Sequence, residues 1–212
     1  FNTLGYKNGA SASPIGIVTD HYKVQQSAID KPLSICFIGS LDWIPNIEGL
    51  NWFLYKVWPG IVRHFPDVTL HVAGRNTPPA IEQLHLKNVV IHGEVPDAKA
   101  FISRHIAMVV PLFSGSGMRV KILEGMALGK VIISTSLGAE GIDARHMQEL
   151  MIADDEADFI EAIGYLVDHP EQVSDIGESA RAFVKDHYCN QEIAFNLYRI
   201  YEELLVADMS HS

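Results

Sequence analysis

With 212 residues, close to half of them apolar, the chain is long enough for one large domain with a sizeable core and lacks the composition of a disordered segment. A net charge of −10 with no basic block argues against nucleic acid as a partner. No apolar run reaches the length of a membrane-crossing helix, nothing at the start resembles a signal peptide, and Cys36 and Cys189 are far apart, so they read as reduced thiols of a cytoplasmic protein rather than a disulfide framework.

The chain opens on Phe1 instead of methionine, and we expect it to be a piece of a longer protein. Residues 1–31 carry Asn8-Gly9 and Pro14 and show no sustained period, so they read as a linker with one short extended piece at Ile15–Thr19. Leu33–Ile38 is an apolar run stopped by Gly39, which marks the first core strand. A loop from Gly39 to Asn46 follows, with Asn46 as the expected helix N-cap. The helix beyond it repeats apolar residues at Ile47, Leu50, Phe53, Leu54, Val57, Trp58, Ile61 and Val62, with a kink expected at Pro59.

A second strand is expected at Val68–Ala73, ending in Gly74-Arg75, and a helix start at Pro78-Pro79. A third strand over Val89–His92 ends in Gly93-Glu94-Val95, and a short helix after Pro96-Asp97 runs to about Arg104. Beyond a fourth strand, Ile106–Leu112, comes the stretch that organises the chain: a glycine-serine turn (Ser114–Gly117), a helix closed by Gly129, and a fifth strand from Val131. A brief run, Leu150–Ala153, is a sixth strand, and helices are expected at 156–168, 171–187 and 190–206. Strands alternating with helices predict an α/β, Rossmann-like parallel sheet with helices on both faces, and ligands at the carboxyl ends of its strands.

The turn at Ser114–Gly117 carries the chemistry. A helix N-terminus offers unpaired N–H groups and partial positive charge, and Gly115 and Gly117 let an anion approach the backbone. Arg119 is expected in the first helical turn, with Lys121 and Glu124 three apart on one face. A cation near such a loop suits a phosphate, and a carboxylate further along suits a sugar diol. Taken alone, this junction is more simply a turn, an ordinary amphipathic helix and a solvated Lys/Glu pair, because short motifs recur by chance.

Other sites fare worse. The ten histidines show no metal-ligand spacing, and His64, His85, His105 and His169 read as helix-end or loop residues. Asp154, Asp155 and Asp158 lie where a helix begins and complement its dipole. Ser114 and Ser116 lack a His/Asp arrangement, and neither a dinucleotide fingerprint nor a P-loop occurs. Trp43, Trp52, Phe53, Tyr55 and Trp58 form an aromatic cluster of which Trp43 lies on the expected ligand edge.

Gly39–Asn46, Val72–Arg75, Gly93–Asp97, Pro111–Gly117, Lys121–Lys130 and Ser134–Gly141 occur in that order. Together they resemble the C-terminal, donor-binding half of the group 1 (family 4) glycosyltransferases of the GT-B fold, over residues 33 to 205. The resemblance implies a two-domain, cytoplasmic, hexosyltransferase-type enzyme of polysaccharide or glycoconjugate synthesis. It would move a sugar, with retention, from a nucleotide diphosphate donor to an acceptor glycan or lipid-linked glycan. No cofactor or metal is implied.

By position, Glu124 would bind the ribose, Gly115, Ser116, Gly117 and Lys121 the phosphates with Arg119 helping, Gly93, Glu94 and Val95 would border the base, and Gly39 and Arg75 would complete the donor site. Catalytic residues stay unassigned, with Lys121 and Arg119 as candidate charge stabilisers. Many relatives have a second glutamate eight positions earlier. Here that position is Ser116, and the role does not transfer.

Divided this way, 1–31 is a linker from an absent N-terminal domain, 32–189 the nucleotide-sugar-binding domain, 190–206 a C-terminal helix and 207–212 a tail. Any peripheral membrane contact would come through the absent domain. A nucleotide-sugar epimerase of the same architecture and a non-catalytic nucleotide-binding module are the alternatives.

Overall fold

Short runs rich in β-branched residues, cut by glycine and polar breaks, form the strands. A computed structural model describes residues 13–23 and 33–209, with the backbone alone from 203 onward. The rest of the linker and the end of the tail lie outside the described residues. Ser34–Ile38 (β1), Thr69–Ala73 (β2), Val89–Gly93 (β3), Ala107–Val110 (β4), Val131–Ser134 (β5) and Met151–Ile152 (β6) make one parallel sheet in the order β3-β2-β1-β4-β5-β6. β4 and β5 are buried along their whole length, as expected of strands covered on both faces. The Rossmann-like architecture is therefore present.

On one face, Ile35, Phe37, Leu70, Val72, Val109 and Val131 meet Leu50, Phe53, Ile61 and Phe159 from α1 (Ile44–Trp52), the turn after it, α2 (Trp58–His64) and α6 (Glu156–Asp168). The rings of Phe53 and Phe159 meet edge to face at 5.5 Å, and each such fully buried side chain contributes about 1.5–3 kcal/mol. On the other face, Cys36, Ala73, Met108, Val110 and Ile132 meet Phe101, Ile122, Met126 and Val184. These belong to α4 (Ala98–Ser103), α5 (Val120–Ala127) and α7 (Pro170–Tyr188), while α3 (Pro79–Glu82) packs beside β3. Asp97 caps α4, accepting from the N–H groups of Lys99 and Ala100, and Asp155 and Asp158 form a capping box on α6.

Several expectations need correction. α1 begins at Ile44, with Pro45 in its first turn and Trp43 as N-cap, so Asn46 lies inside the helix, buried. At the expected kink, Pro59 is preceded by a widened π turn over Phe53–Val57; with no N–H, proline leaves the preceding turn to rearrange. Arg119 is the extended N-cap of α5, not part of its first turn. The Ile15–Thr19 piece contributes one bridge, Ile17 to Cys189, before a 3-10 turn at Thr19–His21.

The last helix, α8, runs Asn190–Met209, three residues beyond the expected end. On it Ile193, Leu197 and Ile200 are half-buried, whereas Phe195, Tyr198 and Tyr201 are exposed.

Candidate functional site

The strand order reverses direction between β1 and β4, and the loops leaving these two strands open a crevice at their carboxyl ends. α1 comes close to the second loop because residue 49 is glycine: a Cβ there would collide with the carbonyl oxygen of Pro111. Gly39 makes room in the same way for Asn46, whose Nδ2 would lie 2.7 Å from a Cβ at 39.

Lys121 enters this crevice from the first turn of α5. Its ammonium donates to the carbonyl oxygen of Ile38 at 3.2 Å and to Oδ1 of Asn46 at 3.0 Å, and lies 5.2 Å from the centre of the Phe37 ring. Asn46 is held in turn, its Nδ2 donating to the carbonyl of Ser40 at 2.9 Å. An ammonium has three donors, so one remains for a ligand. Burial, and then the positive charge of Arg119, pull Lys121 down to about 8.

Arg119 is turned inward. Its Nη1 donates to the carbonyl of Ser116 at 2.5 Å and to that of Gly117, bracing the loop from beneath. The guanidinium lies 5.3 Å from the centre of the Trp43 ring and the residue is 8% exposed. Nε and Nη2 are buried with no hydrogen-bond partner. An unmet buried donor costs about 1–3 kcal/mol, which an anion entering the loop would relieve. Gly115 and Gly117 have φ of 96° and 85°, backbone that only glycine adopts readily. A Cβ at 115 would stand 3.0 Å from Nη2 and 3.1 Å from Trp43, so glycine also keeps the approach to the guanidinium open.

Glu124 lies one turn further along α5, half-buried. No ion pair joins it to Lys121; its Oε1 accepts from the hydroxyl of Tyr22 at 2.7 Å. Gly93 (φ 65°) accepts at its carbonyl from the N–H of Gly74 at 2.8 Å, Val95 packs on the α4–α5 face, and Glu94 is exposed. Arg75 is exposed on the same edge, with Nη2 3.4 Å from the Ser40 hydroxyl. The structure thus gathers Gly39, Gly115, Ser116, Gly117, Arg119 and Lys121 around one crevice, with Glu124 one helical turn on. Arg75 and the Gly93–Val95 turn line the strand ends to one side.

Two residues of this arrangement escape a reading of the sequence. Asn46, which looks like a cap, is the acceptor for Lys121; Tyr22 lies in what reads as linker, with no local signal at all. The histidines hold a further surprise: His71 and His92 share a hydrogen bond at 2.9 Å, and the rings of His71 and His105 lie tilted against each other with centres 4.5 Å apart.

The family model for glycosyl transferases group 1 matches residues 32–169. An uncharacterized 44.6 kDa protein in the cps region of Klebsiella pneumoniae is 25% identical over 178 residues, 78% of this chain and 45% of that protein, so the chain spans less than half of that relative. In fold, the chain is similar to sucrose-phosphate synthase from Thermosynechococcus elongatus (TM-score 0.70, 17% identity, 92% of this chain and 52% of that one). It is also similar to Anabaena HepE in complex with UDP (TM-score 0.69, 15% identity, 87% and 56%). The C-terminal domain of a group 1 glycosyl transferase from Francisella tularensis aligns over 98% of its length and 82% of this chain (TM-score 0.65, 16% identity). With the expected motifs in order on the expected sheet, the chain belongs to the group 1 glycosyl transferases.

Proposed function

We propose that this chain is the donor-binding half of a retaining, hexosyltransferase-type glycosyltransferase that holds a nucleoside diphosphate sugar while an acceptor glycan or lipid-linked glycan is bound by a second domain. The observation that carries this is the pair of incompletely satisfied cations, Lys121 and Arg119, beneath a glycine loop at the point where the strand order reverses. Lys121 and the loop N–H groups would take the diphosphate, Arg119 would hold the loop and share its unmet donors, and Glu124 would accept from the ribose hydroxyls. The developing charge on the leaving diphosphate would be met by the same cations during transfer. HepE has been solved with UDP-glucose, which supports a nucleotide-sugar ligand, and the Klebsiella relative's place in a cps region supports a role in polysaccharide synthesis.

Calorimetric titration with uridine and guanosine diphosphates tests the binding reading. Weak, saturable binding is expected, and Glu124→Ala should reduce it by about 1.5–3 kcal/mol with the fold retained. Unchanged affinity in a folded Glu124→Ala protein would remove the ribose role. Sugar transfer should be undetectable with this chain alone, because one wall of a cleft neither aligns an acceptor nor excludes water. Robust turnover by these residues alone would overturn the division of labour.

A further inference from the structure

Residues 13–23 reach the site from outside the sheet. Ile17 donates its N–H to the carbonyl of Tyr188 at 2.8 Å and accepts from the N–H of Asn190 at 3.0 Å, fastening the segment to the junction of α7 and α8. Thr19–His21 then makes one 3-10 turn and delivers Tyr22. Asp20, His21 and Lys23 are exposed, but Tyr22 is only 6% exposed. Its ring packs with the α4–α5 core face, the Lys99 ammonium lies 4.3 Å from the ring centre, and its hydroxyl donates to Glu124 Oε1 at 2.7 Å. Burial, then the hydrogen bond to Glu124 and its charge, push the phenol upward, so it remains a neutral donor.

A free carboxylate at the end of a glutamate side chain samples several rotamers, and fixing it before a ligand arrives removes part of the ordering cost. A carboxylate offers about four lone-pair sites, of which the phenol takes one. We infer that Tyr22 is a positioning residue of the nucleotide site, holding one oxygen of Glu124 so that the remaining lone pairs accept from a ribose diol. This rests on the reading of Glu124 as the diol acceptor. The opposite sense of the same contact is a plug, in which the phenol stands where a ribose hydroxyl would go; the two senses predict opposite signs.

The test titrates the wild-type chain and Tyr22→Phe with uridine and guanosine diphosphates, their 2′-deoxy counterparts and inorganic pyrophosphate, with thermal melts alongside. Phenylalanine keeps the ring and deletes only the donor. The wild type should prefer a ribonucleotide over its deoxy form. Tyr22→Phe should weaken the ribonucleotide about 5- to 10-fold, narrow that preference and leave pyrophosphate unmoved. In a Glu124→Ala background Tyr22→Phe should have no effect on affinity.

Tighter ribonucleotide binding by Tyr22→Phe would make the phenol a competitor and overturn the positioning role. So would an equal loss for pyrophosphate, which marks a merely structural residue, or no change at all. If the wild type prefers ribonucleotides but Tyr22→Phe is silent, only the role of Tyr22 falls. If the wild type binds a ribonucleotide no better than pyrophosphate, the diol reading of Glu124 fails and this inference with it.

Discussion

Two polar clusters are built into this sheet, and they are finished differently. At the end of β1, Lys121 and Arg119 are charged, enclosed and left with unspent donors. Beside β2 and β3, the His71 ring stacks on His92 and lies tilted against His105, Phe101 meets His92 and His105 edge to face, and the Ser34 hydroxyl is 2.6 Å from His105 Nδ1. There burial and neighbouring positive charge hold all three imidazoles below their ordinary value, His105 at about 3, so the cluster is neutral. No side-chain nitrogen of His71 or His105 is buried without a partner, whereas two of Arg119 are. Spare, desolvated donors are what a ligand site requires, and a polar cluster that satisfies itself is part of the scaffold.

The sharpest break in that comparison is Lys121→Ala. It should weaken a nucleoside diphosphate by about 1.5–3 kcal/mol while leaving the matching nucleoside nearly unchanged, and equal losses for both would place Lys121 outside the phosphate site. The wild-type affinity should also fall as pH rises through about 8, where the free ammonium gives up its proton, and Lys121→Ala should lose that dependence.

Acid should strike the other cluster. The folded pKa values lie below the unfolded value of 6.5, so between the two the unfolded chain binds more protons. The stability contributed by neutral histidines is complete above about pH 6.5 and declines as pH falls from there towards 3. Denaturant melts from pH 7 to 5, above the range of ordinary carboxylates, should show the decline in wild type, and His105→Gln should flatten it. The smallest expected effect is Ser34→Ala, a loss of about 0.5–1.5 kcal/mol in melts with nucleotide affinity unaltered. A changed affinity would show that the histidine face and the crevice are not independent.

Much of this was readable in the chain. Strands such as Val131–Ser134 announce themselves as buried apolar runs, and the Asp155/Asp158 box announces α6, because both rest on neighbours in sequence. The glycine loop and Lys121 were legible for the same reason. What escaped depends on single-residue boundaries or on distance. One residue decides whether Arg119 enters the helix or caps it, and as an extended cap it folds back under its own loop. Pro45 moved the start of α1 ahead of Asn46 and freed that side chain to receive Lys121. Tyr22 meets Glu124 across 102 positions, and no local pattern encodes such a meeting.

The fastening of Ile17 between Tyr188 and Asn190 has a mechanical side. A pull on the chain ahead of Ile17 loads two backbone hydrogen bonds at the foot of α8 before it reaches any strand. Tyr22 is five residues further on and holds the Glu124 carboxylate at 2.7 Å, so slack or tension in that short span would act on it. A load on residues ahead of Ile17 would thus reach the crevice through a lever one 3-10 turn long.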